Sequence, residues 1–255
     1  MDAPGPESPR LITETGDFAV VYKPPRLHSV PLRPGEGGTL LEWYGKIFPP
    51  VTDLRGKKPL EGGILHRLDY ETQGLVLFGK TQAALDSLRA QQEEGRFVKE
   101  YGALTVEETS PPPPGFPPPP EPPSSLPCRI ASYFRPYGPG RKAVRPATAY
   151  MAGREIAADR GRPYETEIVE MTALGEGRRY FTLRISRGFR HQIRCHLAWL
   201  GNPIAGDPLY GNKDAFPPEG FLALRAQALY FFDPRDGRPR EFRIPSVREE
   251  WARYF

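Results

Sequence analysis

The sequence predicts an α+β fold with a mixed, largely antiparallel sheet flanked by helices and loops. Apolar runs and segments of helical periodicity follow one another in no regular order, and some neighbouring apolar runs are joined by short turns typical of hairpins. A regular alternation of strands and helices would instead predict a doubly wound parallel sheet. The 32 prolines and 26 glycines in 255 residues add many turns and loops to this fold.

Three strands and two helices are predicted in the first part of the chain. The strands are residues 18–22, 75–78 and 97–106, and the helices are residues 39–47 and 81–95. Thr39 and Thr81 are the predicted N-caps, because a threonine hydroxyl accepts a hydrogen bond from a free amide of the first helical turn. Gly95 ends the second helix, since glycine easily adopts the left-handed backbone at a helix C-terminus.

A hairpin, a short helix and two final strands are predicted in the second part. The hairpin strands are residues 166–171 and 180–185 around the turn 174–177, the helix is 191–200, and the last strands are 222–232 and 241–244. Between the two parts, residues 111–127 contain eleven prolines in seventeen positions, which favours an extended surface loop. A ligand segment for a proline-binding partner domain is the alternative.

A single domain over residues 11–255 is predicted, after a disordered lead of residues 1–10. No stretch approaches 18 apolar residues, so a membrane span is not expected. The start of the chain has no basic segment followed by an apolar run, so a secretory signal is not expected either. Cys128 and Cys195, the two cysteines of the chain, therefore indicate reduced thiols in a cytosolic, cytoplasmic protein.

Two arginine-rich segments indicate a polyanionic partner. Residues 178–196 contain six arginines and no acidic residue, and residues 134–146 contain three arginines and a lysine, again without an acidic residue. Tyrosine and phenylalanine are interleaved with these cations. Because arginine binds phosphate in bidentate fashion and stacks on bases, the pattern favours a nucleic acid over a merely solvated surface. Membrane phosphates fit less well, since neither segment forms an amphipathic basic helix.

Metal and nucleotide chemistry find little support in the residue pattern. His191 and His196 are five residues apart, which places them about 140° apart around a helix, too far to share an ion. The glycine-rich stretches do not join a strand to a helix as a nucleotide-binding loop does, and a G-x-S-x-G hydrolase motif is missing. Asp69 and Glu71 are a candidate carboxylate pair for a glycosidase, although residues two apart in a loop have no fixed separation.

Asp69 lies in the segment GILHRLDYETQGLVLFGK, residues 63–80, between two apolar runs that are typical of strands. A carboxylate at such a junction can be a turn residue, an ion-pair partner or a reacting group, and the local pattern leaves all three open.

The residues around Asp69 resemble the signature of a known family. His66-Arg67-Leu68-Asp69-x-x-Thr72-x-Gly74-Leu75, followed by Lys80-Thr81, is similar to the signature of RNA pseudouridine synthases of the RluA type. Further segments resemble motifs of that family in the same order: Val21-Tyr22-Lys23-Pro24, Lys99-Glu100-Tyr101, 142–150, His191-Gln192-Ile193-Arg194-x-His196-Leu197, 201–211 and 223–234. The resemblance covers the chain from about residue 11 to about residue 245 and implies the pseudouridine synthase catalytic fold with its bent sheet.

The chain departs from the family pattern at two places. Gln73 stands where serine or threonine is usual, and Arg187-Gly188-Phe189-Arg190 stands where T-G-R-T is common, so that the usual arginine is displaced by one position. The family often carries a small N-terminal RNA-binding domain, called S4, which the short segment before the first predicted strand cannot contain. The resemblance therefore implies a stand-alone catalytic domain.

The resemblance implies that the protein isomerises uridine in ribosomal or transfer RNA to pseudouridine. In this reaction the N1–C1′ bond breaks, the freed uracil rotates, and a new bond forms through C5. The implied catalytic residues are Asp69 as nucleophile or base, Tyr101 packed on the uracil ring, and Arg194 as the partner that keeps Asp69 ionised. Arg67 would fill the space that the flipped nucleotide leaves.

The other residues expected to contact RNA are His66, Arg141, Lys142, Arg190, His191 and Gln192. Neither a metal nor a nucleotide or organic cofactor is expected, because the isomerisation has no redox change and releases nothing. A monomer is expected, with RNA as its partner and no membrane contact. Two other functions stay open: a non-catalytic RNA-binding relative and, with less support, a carbohydrate-active hydrolase.

Overall fold

The chain packs as two compact units in the computed structural model, which describes residues 8–107, 112–121, 125–148, 161–211, 222–248 and 251. The first unit comprises Met1–Lys99 and Arg225–Pro245, and the second comprises Glu100–Leu224 and Ser246–Phe255. The single domain over 11–255 stays a prediction. Residues 1–7 of the predicted disordered lead lie outside the described residues, and a strand begins at Arg10.

Strands and helices follow one another irregularly, as the sequence predicts. In chain order they are β1 (Arg10–Glu14), β2 (Phe18–Lys23), α1 (Leu40–Ile47), β3 (Gln73–Gly79), α2 (Gln82–Glu93), β4 (Val98–Val106), β5 (Cys128–Tyr137), β6 (Ala143–Ala147), β7 (Tyr164–Gly175), β8 (Arg178–Ile185), α3 (Gln192–Trp199), β9 (Leu224–Phe232) and β10 (Pro239–Arg243). Short 3-10 turns occupy Pro49–Thr52 and Pro139–Arg141. The sequence pattern does not predict β1, β5 and β6.

Both predicted helix caps of the first unit are confirmed. The Thr39 side chain accepts a hydrogen bond from the Glu42 amide, and the Thr81 side chain accepts one from the Ala84 amide. Gly95 has the positive φ of 77° that the end of α2 requires. The helices therefore begin where a threonine supplies an acceptor for the first free amides.

The sheet of the first unit has the strand order β1-β2-β3-β9, and β10 pairs with β9. β3 and β9 are parallel, whereas the other pairs are antiparallel. Twelve buried side chains from these strands, from α2 and from the adjoining loops form its core: Phe18, Val20, Tyr22, Leu65, Leu75, Leu77, Leu85, Leu88, Phe97, Leu229, Phe231 and Ile244. This core lies at the base of the segment that carries Asp69, because Leu65 and Leu75 flank that segment.

Gly74 is required where β3 and β9 approach each other. The two strands pair in parallel at Gln73 with Arg225 and at Gly74 with Ala226. A Cβ on Gly74 would lie 2.3 Å from the Ala226 carbonyl oxygen, and the φ of Gly74 is +125°, which side-chain-bearing residues rarely adopt. The glycine of the signature therefore allows β9 to pair with the first residues of β3, directly after the segment that carries Asp69.

The sheet of the second unit has the strand order β4-β8-β7-β5-β6. The pairs β7–β8, β5–β7 and β5–β6 are antiparallel, and the β7–β8 pair confirms the predicted hairpin. Buried side chains of β6, α3 and the following loop form a second core: Ala143, Val144, Cys195, Ala198 and Tyr210. A mixed, largely antiparallel sheet with flanking helices is the predicted fold class, which is confirmed.

The proline-rich loop is tied to α3. Residues 112–121, its first described part, contain neither helix nor strand. The indole Nε1 of Trp199 donates to the carbonyls of Pro117 and Pro118 at 3.0 and 3.2 Å. The Phe116 ring packs against the core beneath α3. The loop therefore covers one side of the helix instead of standing free of it.

Within the part of the chain that the structure describes, each helix is too short or too polar to cross a membrane.

Candidate active site

Asp69 lies in a turn that is anchored to the first unit by hydrogen bonds of the residues around it. The Leu65 amide donates to the Leu77 carbonyl at 2.9 Å, and the Thr72 amide closes the turn by donating to the Asp69 carbonyl at 3.1 Å. The Ser29 hydroxyl donates to the Leu68 carbonyl at 2.9 Å and accepts from the Leu68 amide at 3.1 Å. Asp69 itself is partly exposed. A carboxylate on such a fixed and accessible turn meets the first requirement of a reacting group.

Lys23 at the end of β2 is buried beside this turn. Its Nζ donates to the carbonyls of Pro24, Leu27 and Tyr70 at 2.9, 2.7 and 3.2 Å. Burial lowers the pKa of Lys23 to about 7, and the negative charges of Asp69 and Glu71 oppose this shift only in part. A buried amine that is protonated below about pH 7 therefore lies beside the turn that carries Asp69, a feature that the sequence does not predict.

Gln73 joins three strands at the point where the turn enters β3. Its Oε1 accepts hydrogen bonds from the Tyr22 hydroxyl at 2.7 Å and from Nε and Nη2 of Arg225 at 3.1 and 2.7 Å. Arg10 and Arg225 both contact the Tyr22 ring, with guanidinium carbons 4.6 and 5.8 Å from its centroid. Gln73, where the chain departs from the family pattern, therefore connects β2, β3 and β9 through one side-chain oxygen.

The other signature residues of the turn have different surroundings. His66 is buried, accepts a hydrogen bond from the Leu77 amide at 3.3 Å and packs on the Phe97 ring. Burial and, to a smaller extent, the charge of Lys99 hold the pKa of His66 well below its ordinary value, so the ring is neutral. Arg67 is exposed and lies 3.6 Å from the Glu61 carboxylate. RNA contact by either residue stays a prediction, and the exposed Arg67 is the better placed.

Tyr101 lies on β4 of the second unit and is only 5% exposed. The preceding residue, Glu100, is also buried; its carboxylate accepts a hydrogen bond from Nε of Arg184 at 2.9 Å and lies 2.9 Å from Nη2 of the same guanidinium. This ion pair between β4 and β8 fixes the strand that presents Tyr101. The burial suits a tyrosine whose ring packs against a base in a dry pocket, and that role stays a prediction.

Arg194 is fully buried and forms a bidentate ion pair. Its Nε and Nη2 donate to the two carboxylate oxygens of Asp207 at 2.7 and 2.9 Å. The same carboxylate accepts the amides of Leu209 and Tyr210 at 2.9 and 3.2 Å. Asp207 therefore fixes both α3 and the loop after it, and the pairing of Arg194 with Asp207 is not predicted by the sequence analysis.

Replacing Asp207 by asparagine is expected to lower the free energy of unfolding by about 3 kcal/mol, because a fully buried guanidinium loses its counter-charge. Chemical denaturation of both proteins measures this difference. Glu107→Gln is the matched control: Glu107 pairs with Arg179 at 2.8 Å, but its side chain is 45% exposed. Such a surface pair contributes about 1 kcal/mol or less. Equal losses for the two variants would contradict a structural role of the Arg194–Asp207 pair.

The residues at the start of α3 are engaged by the second unit itself. Gln192 is buried, its Nε2 donates to the Glu165 carbonyl at 2.9 Å, and its Oε1 accepts from the Phe189 amide at 2.9 Å. Nδ1 of His191 lies 3.2 Å from the Tyr210 hydroxyl. His191 precedes α3 with a φ of 57°. Both side chains shape the loop before α3, and their contact with RNA stays a prediction.

Three predicted RNA-contacting cations do come together, at the hairpin of β5 and β6. Arg141 and Lys142 are exposed in the loop between these strands. Nη2 of Arg190 donates to the carbonyls of Arg141 and Ala143 at 2.8 and 3.2 Å. The arginine that is displaced relative to the family pattern therefore holds this loop and adds its charge to the same surface.

The functional residues missed by sequence reasoning leave only weak signals in the chain. Asp207 is the first acidic residue after Glu176 and follows six arginines, so it is the nearest carboxylate that a buried arginine of α3 can reach along the chain. Lys23 belongs to a segment that resembles a family motif, but the three carbonyls that accept hydrogen bonds from its buried amine come from separate positions in the chain. The Gln73–Arg225 pair joins residues 152 positions apart.

Comparison with known proteins decides the family. The sequence profile of the family described as RNA pseudouridylate synthase matches residues 17–199, well over half of the chain. The chain belongs to this family. Its profile spans the Asp69 turn, Tyr101 and Arg194, and the predicted family and reaction class, an isomerase, are confirmed at the level of the family.

Two relatives of this RNA pseudouridylate synthase family member support the family assignment. An uncharacterized RNA pseudouridine synthase of Chloroflexus aurantiacus is 32% identical over 220 residues, 86% of this chain and 59% of that protein. The ribosomal large subunit pseudouridine synthase D of Escherichia coli O6:H1 is 28% identical over 253 residues, 92% of this chain and 66% of that protein. The chain therefore spans less than two thirds of the length of these two relatives.

Two solved structures share the fold of this family member. Human RNA pseudouridylate synthase domain containing 1 matches with a TM-score of 0.64 and 21% identity, covering 97% of this chain and 87% of that one. Human RNA pseudouridylate synthase domain containing 4 matches with a TM-score of 0.58 and 17% identity, covering 95% and 90%. The predicted catalytic fold is confirmed.

Proposed function

We propose that the chain is an enzyme that isomerises specific uridines in ribosomal or transfer RNA to pseudouridine. The observation that carries this proposal is Asp69: a partly exposed carboxylate on a turn that is fixed to a buried sheet, within the signature of a matched family. The E. coli relative acts, by its name, on the large ribosomal subunit. That name favours ribosomal RNA over transfer RNA for this chain.

The proposed reaction gives a role to each residue of the site. Asp69 acts on the ribose of the uridine, as a nucleophile at C1′ or as a base, while the N1–C1′ bond breaks. Tyr101 packs on the uracil ring, a stacking contact of about 1–3 kcal/mol, and holds the base for its rotation. Arg194, held in place by Asp207, is the proposed positively charged partner of the Asp69 carboxylate. Arg67 fills the space of the flipped nucleotide and offsets part of the unstacking cost of a few kcal/mol.

The reaction needs neither a metal nor a cofactor, since no electrons are transferred and nothing is released. We further propose that the protein acts as a monomer in the cytoplasm. A non-catalytic RNA-binding relative is the second candidate, and the presence of Asp69, Tyr101 and Arg194 argues against it. A carbohydrate-active hydrolase has less support, because a second carboxylate at a fixed separation from Asp69 is not predicted.

Mapping of pseudouridines tests the proposal directly. Ribosomal and transfer RNA are isolated from cells that lack the gene, incubated with the purified protein and sequenced for pseudouridine at single-base resolution. New pseudouridine at one or a few defined uridines is the expected result. Binding of these RNAs without new pseudouridine would favour the non-catalytic relative. If the RNAs are neither bound nor modified, both RNA functions are excluded.

RNA binding is expected to weaken steeply as salt is raised, because the arginine-rich surface releases counterions from several phosphates. Charge reversal by Arg141→Glu with Lys142→Glu should weaken binding of all RNA sequences and reduce the slope of log K against log salt by about 1–2. Fluorescence anisotropy at several salt concentrations measures both quantities.

The matched control for this charge change is Lys46→Glu with Arg238→Glu. These side chains are 74% and 79% exposed, lie in the first unit and carry the same total charge. The control should shift the affinity less than the hairpin variant does. Equal effects would mean that only the net charge of the protein matters, and a flat salt dependence would argue against RNA as the partner.

A further inference from the structure

Lys23 ends β2 with its amine inside the protein and all of its hydrogen-bonding capacity used. The three acceptors are the carbonyls of Pro24 and Leu27, which follow it in the chain, and of Tyr70, which lies 47 residues away. A protonated lysine has three N–H donors and no acceptor, so three converging carbonyls match the ammonium form. A neutral amine has only two N–H groups, and its lone pair would face one of these carbonyl oxygens. The site is therefore built for a cation.

Two carboxylates of the turn act on the charge of Lys23. The charged groups that act on Lys23 are Asp69 and Glu71, the neighbours of Tyr70 on either side. Burial outweighs them and lowers the pKa of Lys23 to about 7. A buried lysine is costly unless its charge and its donors are used. Here Asp69 and Glu71 act on the charge, and the carbonyls of Pro24, Leu27 and Tyr70 accept from the three donors.

We propose that Lys23 is a positioning residue for Asp69: its buried ammonium holds the turn through the Tyr70 carbonyl and balances the two carboxylates on either side of it. The proposal rests on the proposed function, since it gives Lys23 its purpose in the isomerisation. The turn then has two anchors. Ser29 holds Leu68 before Asp69, and Lys23 holds Tyr70 after it. Because both neighbours of Asp69 are fixed, its carboxylate keeps a single orientation toward a bound uridine.

The first test separates positioning from RNA binding. Lys23→Met keeps the aliphatic stem but removes the charge and the donors. It is expected to lower the single-turnover rate about tenfold, because small displacements of a reacting group are costly to the rate. RNA affinity should stay within about threefold, since a fully buried side chain does not contact RNA. A rate within twofold of wild type at pH 6 would overturn the proposal.

Lys80→Met is the matched control. Lys80 also donates to a carbonyl, that of Thr15 at 2.7 Å, and pairs with Glu14 at 3.0 Å, and its side chain is only 12% exposed. It follows the far end of β3, about 20 Å along the strand from the turn. This variant should retain the wild-type rate within about twofold. An equal loss in both variants would show that any buried lysine of this sheet has the same effect, which also overturns the proposal.

The pH dependence of the rate gives a readout that simple packing would not change. The ammonium is present below the pKa of about 7 and is lost above it, so the advantage of wild type over Lys23→Met should be full at pH 6 and should shrink to about threefold or less at pH 9. A ratio that is constant from pH 6 to pH 9 would reduce Lys23 to a packing residue.

Hydrogen exchange of the turn tests the proposal without any measurement of activity. In wild type, the protection of a peptide covering residues 66–75, corrected for intrinsic exchange, should fall between pH 6 and pH 9 as the ammonium is lost. This experiment needs no variant, so it can be made even if Lys23→Met does not fold. Unchanged protection would overturn the inference about Lys23. Loss of protection in a protein that modifies no RNA would instead leave the anchor intact and refute the proposed function.

Discussion

Asp69→Asn is expected to abolish pseudouridine formation while leaving the fold and the RNA affinity largely intact. Asparagine has nearly the shape of aspartate, and the backbone carbonyl of residue 69, which accepts the Thr72 amide, is unchanged. It lacks the negative charge and the nucleophilic oxygen that bond cleavage at C1′ needs. The single-turnover rate should fall by at least roughly 10³-fold. Circular dichroism and RNA-binding measurements on the same sample check the fold and the affinity.

Glu71→Gln is the control for this experiment. Glu71 lies in the same turn, two residues after Asp69, and removing its charge changes the electrostatics of the turn by the same amount. A much smaller loss, within about tenfold, is expected, because Glu71 has no covalent or proton-transfer role in the proposed reaction. A residual rate above about a tenth of wild type for Asp69→Asn would remove Asp69 from catalysis. Equal losses at Asp69 and Glu71 would favour the carboxylate pair of a hydrolase.

Local signals in the sequence predict much of the fold. The caps Thr39 and Thr81 and the predicted hairpin turn 174–177 depend on residues within a few positions of each other. The structure has both caps, and its hairpin turn lies at 176–177, inside the predicted span. β5 and β6 are different, because the hairpin that they form joins the sheet through a distant partner: Cys128 of β5 pairs with Ile168, forty positions away. Their many arginines and prolines also hide the alternation that identifies a half-buried strand.

The candidate site divides in the same way. The signature around Asp69 identifies the turn, since a contiguous motif is visible in one sequence. The ion pair of Arg194 with Asp207, the bond of Gln73 to Arg225 and the carbonyls around Lys23 each need a chain that has already folded. Buried polar groups must find partners, but a sequence alone does not say which carbonyl or carboxylate will be near. These supporting residues therefore become visible only in the structure.

Tyr101→Phe is expected to slow turnover by roughly 10²–10⁴-fold with RNA affinity nearly unchanged. Phenylalanine keeps the ring that packs on uracil, so loss of the hydroxyl alone would cost about 1 kcal/mol if the ring only packed. The larger loss is expected because, after C5 has joined C1′, the proton on C5 must leave, and we expect the Tyr101 hydroxyl to assist that transfer. Rapid-quench measurements should then show rearranged product that accumulates before proton loss.

Tyr44→Phe shows whether the loss of any buried tyrosine hydroxyl slows the reaction. Tyr44 is fully buried in α1, and its hydroxyl donates to Glu14 at 2.8 Å. Its removal should cost about 1 kcal/mol of stability and leave the rate within about twofold, because Tyr44 has no part in the chemistry. A near-normal rate for Tyr101→Phe would reduce Tyr101 to a packing residue, and a failure of that variant to fold would make it a core residue. Each variant loses one tyrosine hydroxyl from the interior of the protein. If the rate falls strongly for Tyr101→Phe but not for Tyr44→Phe, proton transfer at C5 is the explanation.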